Sequence, residues 1–517
     1  MRVIDFFDQG VDLYPENLAF VDGNEHLTFA QASEKTHHIA SAIRGHGYEK
    51  GVKAGILAPN SNIAFLALLG LFRSEAVWIP INPRNAVDTN VDLLTRFDGE
   101  LMLYHSNYEA EAEQILAAVP GIKEMICIDK ASDKHPSFDT WLDGYETDFE
   151  MGEENPEDLL AIFPTGGTTG KSKGVMIAHR GIETMFANFF AHMNYYDDTR
   201  HLVVAPMTHS SGLMGCLHFP RGGTNQMMAA ADPEAILKTI QNDKITHLFL
   251  PPTVLYMLLA RPDVRDYDYS SLQHFLVGAA PTSLEKLKEA IDVFGPVMTE
   301  LYGQAEAPAS ILAKSPWDYM DKDGNINEAR LASAGRPTVF GQMALMDDDG
   351  NLVPKGQAGE IVTKSRLVMP GYYKNPEATA EVSQYGWHHT GDVGVMSEDG
   401  YVTIVDRKKD MIISGGFNVF PNEIEQALTT HDAVQDCAVI GVPDEKWGEA
   451  VKGVVQLKPG ANVSEEELIT LAKEMLGGVK APKSVDFIDD LPRSPNGKVL
   501  KTELRKQYWE GSGRGVN

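Results

Sequence analysis

Short apolar runs, each stopped by proline or glycine, recur along the chain: VWIPINP at 77–83, HLVVAP at 201–206, THLFLPP at 246–252 and HFLVGAAP at 274–281. Runs of this length, rich in branched and aromatic residues, read as buried strands. LMLYHS at 101–106 and EMICID at 124–129 read the same way, and between such runs lie helical stretches such as NIAFLALLGLFRSEA at 62–76. Alternating strands and helices predict an α/β architecture with a largely parallel sheet. The same alternation is expected to continue from 156 to about 405. In open sheets of this kind ligands sit where the strands end, which makes each Pro- or Gly-terminated strand end a site candidate.

The pattern changes around YVTIVDRKKD at 401–410. Beyond it NEIEQALTTH (422–431) predicts a helix, DCAVIGVP (436–443) and KGVVQLKP (452–459) predict strands, and SEEELITLAKEML (464–476) predicts a helix capped by Ser464. A segment of this size suits a compact α+β domain. The chain therefore divides into a large N-terminal domain, 1–408, of parallel or mixed sheets with helices, and a small C-terminal α+β domain, 409–517.

A net charge of -28 argues against nucleic acid or an anionic membrane surface as a general partner. Cys127, Cys216 and Cys437 lack metal-ligand or disulfide spacing, which fits a reducing cytoplasm. The opening MRVIDFFDQG is no signal peptide. The apolar run 63–72, ended by Arg73, is far too short for a membrane span and predicts a buried helix.

One loop carries the chemistry. LLAIFPTGGTTGKSKGVMIA, 159–178, runs from a buried strand through Thr165, Gly166, Gly167, Thr168, Thr169, Gly170, Lys171, Ser172, Lys173 and Gly174 into a second apolar strand. Glycines let backbone N–H groups approach phosphate oxygens, hydroxyls add donors and lysines add charge. Only the end of the loop, Gly170-Lys171-Ser172, matches G-x-x-x-x-G-K-[ST]. Thr165 stands where that pattern needs its first glycine, and a strand rather than a helix is expected to follow, so a P-loop kinase or GTPase is disfavoured.

TGGTTGKSKG resembles the phosphate loop of the adenylate-forming superfamily, which comprises acyl- and aryl-CoA synthetases, adenylation domains of peptide synthetases and firefly-type luciferases. Ser172 replaces the usual proline. Further resemblances follow in the family's order: PMTHSSG (206–212), VGAAP (277–281), TELYGQAE (299–306, with Ala305 where a hydroxyl is common), GRP (335–337), WHHTGD (387–392), DRKKDMIISGGFNVFPNEIE (406–425) and PNGKVLK (495–501).

The resemblance implies a two-step acid–CoA ligase that uses ATP, Mg2+ and coenzyme A. It implies that Lys498 is the adenylation lysine, bringing positive charge to the junction of two anions, and that Glu306, with Thr165, holds magnesium. The nucleotide would be held by the loop residues 165–170 and Lys173, by Gly278, Ala279 and Ala280 on the adenine side, and by Glu300, Tyr302, Gly303 and Gln304. Tyr302 would stack on adenine, and Asp392 and Arg407 would hold the ribose. His209 would gate the acyl pocket. Adjacent His388 and His389 are rejected as a metal pair. Lys409 matches the hinge about which the small domain rotates between steps, bringing Ser414, Gly415 and Gly416 to the pantetheine arm. Trp447 would contact CoA, and Lys480 and Lys483 are candidates for its phosphates. Val479 stands where relatives often carry an aromatic.

The substrate is expected to be a small-molecule carboxylic acid: aromatic, alicyclic or a medium- to long-chain fatty acid. Two other readings compete: a stand-alone adenylation enzyme that loads a carrier protein, and a non-catalytic nucleotide-binding regulator. Intact Lys498, Glu306 and Asp392 argue against the second. A homodimer is the default oligomeric expectation.

Overall fold

The computed structural model describes residues 1–509 apart from 166–171, 194, 196–197, 279, 281, 415–416, 445 and 494–498; the side chains at 209, 210 and 418 are also outside it. The architecture is α/β: a large N-terminal domain of mixed sheets with helices, and a smaller C-terminal α+β domain.

Two sheets form the body of the large domain. One runs, in spatial order, through Glu124–Cys127, Leu101–Tyr104, Lys53–Leu57, Val77–Pro80, Leu159–Thr165 and Lys173–Ala178, parallel except for the last pair. The other is nine-stranded, and its centre is a parallel series of Thr224–Met227, Arg200–Val203, His247–Leu250, His274–Val277 and Met298–Gln304. The strands expected from VWIPINP, LMLYHS, EMICID, HLVVAP, THLFLPP and HFLVGAAP all form. The helix Asn62–Arg73 is buried except at Ile63, which is half-buried. Even Arg73 is only 1% exposed, its guanidinium bonded to Asp8 and to Thr36 Oγ1. No helix among the described residues is long and apolar enough to cross a membrane.

After residue 298 the βα alternation stops, contrary to expectation. Met298–Gln304 turns directly into Ala307–Lys314, and Gln342–Met346, Ala358–Lys364, His388–Met396 and Val402–Arg407 form an antiparallel meander. Turns join the first pair and the last pair of these strands, while the longer connection 365–387 carries the short helix Pro376–Glu381 and still returns antiparallel. Asp347 accepts from the backbone N–H groups of Asp349 and Asn351, a local closure that suits adjacent antiparallel strands.

The C-terminal domain packs the helices Pro421–Thr429 and Glu465–Leu476 on a sheet built around Val434–Asp444 and Gly448–Leu457. Ser464 caps the second helix by accepting from Glu467 N at 3.2 Å. Asp406 accepts from Asn422 N at 2.8 Å, Lys501 pairs with Glu425 at 2.7 Å and Arg505 with Asp410 at 2.9 Å, so charges on both sides of the connecting segment interlock.

Candidate functional site

The expected strand after the Gly/Thr loop is present: Leu159–Thr165 and Lys173–Ala178 form an antiparallel hairpin in which Thr165 opposes Lys173. Thr165 and Lys173 therefore frame the loop from both sides. Gly166, Gly167, Thr168, Thr169 and Gly170 lie outside the described residues.

The hairpin is stitched to the segment 369–375. Met176 N donates to Gly371 O at 3.0 Å and Tyr373 N to Gly174 O at 2.7 Å. This brings Tyr372 over Lys173, whose Nζ sits 4.8 Å from the ring centroid. The Tyr372 hydroxyl donates to Glu306 Oε1 at 2.7 Å. Burial pushes this phenol far above its ordinary pKa, with the Glu306 charge adding to the shift, so it stays a donor.

Glu306 occupies the turn between Met298–Gln304 and Ala307–Lys314, not the start of a helix, and is 8% exposed. The turn closes tightly at Gly303, where a Cβ would stand 2.6 Å from both Ala307 O and Ala309 N. Glycine is required there by the hairpin itself, whatever the ligand.

Tyr302 and Gln304 lie on the strand, whose register shifts between them, and Glu306 lies in its turn; each reaches a different anchor. The Tyr302 hydroxyl donates to Asp392 Oδ2 at 2.7 Å. Gln304 Nε2 lies 2.9 Å from His388 Nε2. Glu306 meets Tyr372 as described. Asp392 and Arg407 are cross-strand partners, with the guanidinium Nε 3.6 Å from Asp392 Oδ1.

His388 is neutral, because burial lowers its pKa to about 4. With Gln304 donating to Nε2, the proton rests on Nδ1, which finds no partner among the described residues. His389 turns to Glu360, 3.1 Å away. The adjacent histidines thus diverge, as their rejection as a metal pair requires.

Glu300 is differently engaged. Its carboxylate holds Lys314, which is fully buried, at 2.5 Å and accepts from the Tyr319 hydroxyl at 2.5 Å. That pairing makes it an internal counter-charge. Gly278 ends its strand half-buried beside Phe249, and Ala280 is also half-buried, whereas Ala279 lies outside the described residues.

His209 belongs to the helical turn Met207–Ser211, and its side chain is outside the description. What anchors that turn is Asn60, a residue the motifs did not single out. Its Oδ1 accepts from Met207 N at 2.7 Å. Its Nδ2 lies 3.1–3.2 Å from the carbonyls of Val203, Val204, Ala205 and Met228. Tyr372 was missed as well; the signal available was its aromatic ring in PGYYKNP.

Lys409 is exposed beside Lys408, which bridges Glu360 and Asp348. Ser414 is buried and pairs with Gly448, which places it next to Trp447; Gly415 and Gly416 lie outside the described residues. Trp447 is 39% exposed, with Lys446 4.6 Å and Lys483 6.0 Å from its ring. Lys480 pairs with Glu423. Lys498 lies outside the described residues.

The geometry offers a carboxylate–tyrosine–arginine set at Asp392, and a carboxylate–tyrosine–lysine set at Glu306 beside the loop. Both are suited to a phosphorylated nucleotide. Comparison with known proteins points the same way. A model described as AMP-binding enzyme matches residues 7–373, and one for the AMP-binding enzyme C-terminal domain matches 423–498. A feruloyl-CoA synthase of Amycolatopsis sp is 35% identical over 96% of both chains. The medium/long-chain-fatty-acid–CoA ligase FadD8 of Mycobacterium tuberculosis is 34% identical over 96% of this chain and 88% of its own. The crystal structure of ATP-bound MatB from Rhodopseudomonas palustris superposes with a TM-score of 0.87 at 26% identity, covering 99% of this chain and 100% of that one.

Proposed function

This chain belongs to the AMP-binding enzyme family, and on that premise we propose that it joins a carboxylic acid to coenzyme A with ATP as the driving reagent. The carboxylate oxygen attacks the α-phosphorus of ATP, and the bond to the β-phosphate oxygen breaks. Acyl-AMP and pyrophosphate result. The thiolate of CoA then attacks the acyl carbon, and AMP leaves with the electron pair of the broken C–O bond. The class is that of an AMP-forming acid–thiol ligase, acting on aromatic or aliphatic acids as its relatives' names indicate.

The observation that carries this reading is the convergence of Tyr302, Gln304 and Glu306 from one strand and its turn onto Asp392, His388 and Tyr372. Asp392 accepts the ribose hydroxyls, exchanging the Tyr302 hydroxyl for them, while the ring of Tyr302 packs on adenine. Arg407 lies beside Asp392, its Nε 3.6 Å from Oδ1. Thr165, Lys173 and the loop between them receive the phosphates.

Glu306 and Thr165 fit magnesium. Both are hard oxygen donors, and Tyr372 holds Oε1 of Glu306 with no other hydrogen bond to that carboxylate among the described residues. No cluster of three His, Cys, Asp or Glu that could hold a metal occurs among those residues. That suits a cation that completes its shell with phosphate and water. When bound, it supplies charge neutralisation at the phosphates.

Lys498 supplies the positive charge for the first step. Rotation of the domain 409–517 about Lys409 withdraws it and brings Ser414, Gly415 and Gly416 to the pantetheine arm, with Trp447 against CoA. The cytoplasm is the compartment, in keeping with three buried free cysteines.

The test is mass spectrometry of products formed from ATP, magnesium and a panel of acids, with and without CoA. Acyl-AMP without CoA and acyl-CoA with it are expected. Acyl-AMP in both would move the acceptor to a carrier protein, and absence of AMP products with every acid would overturn the reading.

A further inference from the structure

The segment 369–375 ties two charged residues beside the phosphate loop to one frame. Tyr372 pairs with Val175 in an antiparallel bridge, flanked by the bonds from Met176 N to Gly371 O and from Tyr373 N to Gly174 O. Its own N–H donates to Thr379 Oγ1 at 2.9 Å, on the short helix Pro376–Glu381. The same segment reaches the turn of Glu306, where Met369 N donates to Glu306 O at 2.8 Å. Tyr372 is 6% exposed, so an anchored backbone and close packing hold its ring in one orientation.

That ring touches opposite charges. The Lys173 ammonium lies 4.8 Å from its centroid, and its hydroxyl donates to Glu306 Oε1 at 2.7 Å. Lys173 and Glu306 form no ion pair with each other or with any other group among the described residues. Other shielded carboxylates of this chain are paired with a cation: Glu300 with Lys314, Glu360 with Lys408 and Glu425 with Lys501. Glu306, 8% exposed, is held by a neutral donor instead. A shielded carboxylate without a cation is costly unless something else compensates its charge.

We propose that Tyr372 is a positioning residue of the ATP site with two tasks: its hydroxyl orients the Glu306 carboxylate for magnesium, and its ring keeps Lys173 from pairing with that carboxylate. This deepens the ligase reading and rests on it. A phenol donates a hydrogen bond without bringing a charge, so Glu306 stays an anionic ligand. A lysine or arginine in the same place would satisfy the carboxylate and compete with the metal. Carboxylates that hold metals are themselves held by hydrogen bonds, and loss of such a partner typically costs ~10- to 100-fold in metal affinity. Lys173, kept on the ring face, retains its charge for phosphate.

The test is calorimetric binding of α,β-methylene-ATP, which cannot be cleaved between its α- and β-phosphates, in EDTA and in saturating magnesium. The intact chain should bind more tightly with magnesium. Tyr372→Phe keeps the ring and loses the hydroxyl. It should bind as the intact chain does in EDTA, and ~10-fold or more weakly in magnesium. In a Glu306→Gln background the same change should have little further effect, because the two residues act as one unit. Tyr372→Leu removes the aromatic face as well and should weaken binding in EDTA too. Adding Glu306→Gln should restore that loss by freeing Lys173.

No gain from magnesium in the intact chain, a reading independent of how any variant folds, overturns the proposal alone. An equal gain in Tyr372→Phe does the same. Weakening of Tyr372→Phe by one common factor in both buffers also overturns it, since a role confined to packing does not distinguish the metal from its absence. Failure of Glu306→Gln to restore Tyr372→Leu in EDTA overturns the separating task of the ring. No binding of the analogue by the intact chain in either buffer removes the nucleotide site, and with it the ligase reading and this proposal together.

Discussion

Asp406 and Arg407 are neighbours on one strand, yet they serve two unlike charge networks. Arg407 points to Asp392 and Tyr302, where the guanidinium is 38% exposed and the carboxylate only partly occupied. Asp406, on the opposite side, is 7% exposed and accepts from the N–H groups of both Asn422 and Arg407. Around it Lys501, Glu425, Asp410 and Arg505 pair with one another. Burial lowers the Lys501 ammonium pKa, but the carboxylates of Glu425, Asp406 and Asp410 more than offset this and leave it raised. Burial raises Asp406, with Lys501 opposing. A saturated network holds a domain in place, and a half-open one waits for a ligand. Alternation along a single strand is enough to separate the two roles.

The largest effect should come from the saturated side. Lys501→Ala strands Glu425 and Asp406 without their cation, and should destabilise the C-terminal domain by ~3–5 kcal/mol, read from denaturant melts. A change under ~0.5 kcal/mol would mean the network is solvated and the contrast false. Three residues earlier, Lys498→Ala should leave the melt unchanged but slow acyl-adenylate formation by ~100- to 1000-fold, as for loss of one pre-oriented donor at a developing charge. Conversion of supplied acyl-AMP to thioester should survive. Normal pyrophosphate release from that variant would remove Lys498 from the first step. On the half-open side, Asp392→Asn should cost roughly 1.5–3 kcal/mol of ATP binding, seen as a raised KM for ATP without loss of stability. Destabilisation with unchanged ATP dependence would place Asp392 among the structural carboxylates. Trp447→Ala should be mildest: loss of one exposed aromatic face costs about 0.5–1 kcal/mol, and only KM for CoA should move.

The sequence made the strands legible because their apolar runs are short and punctuated, and it made Asp392, Tyr302 and Glu306 legible because each sits in a recognisable string. Lys173 was found for the same reason. What it hid were contacts made across sequence distance. Tyr372 reaches Glu306 from 66 residues away. Asn60 fixes the turn of His209 from beyond 140 residues, a separation that no local pattern reports. The antiparallel meander at 342–407 was hidden too, because strands this short read alike whether they pair parallel or antiparallel, and even the connection 365–387, with its helix Pro376–Glu381, returns antiparallel. Glu300 read as a site residue because it stands in the motif, but its partner Lys314 was visible only once the two strands paired. A row of buried histidines was half-visible. His201, His247 and His274 stand in matched register on neighbouring strands, with His218 packed against His201 and His247. HLVV, HLFL and HFLV each open with the same residue, and only register turns that coincidence into a layer.

That layer has a consequence for the chain as a whole. Burial lowers the pKa of His201 and His274 to about 4, and His218 falls further. An unravelled chain would protonate them near pH 6.5. Below that point the unfolded state takes up protons that the native core refuses, so each imidazole withdraws ~1.4 kcal/mol of stability per pH unit until its native pKa is reached. The loss begins as pH falls through about 6.5, well above the range in which carboxylates titrate. Melting temperatures should therefore drop steeply between neutral pH and about pH 5, and less so in His274→Phe. The fold is in effect a proton-poor solvent wrapped around its own bases, and mild acid alone should undo it.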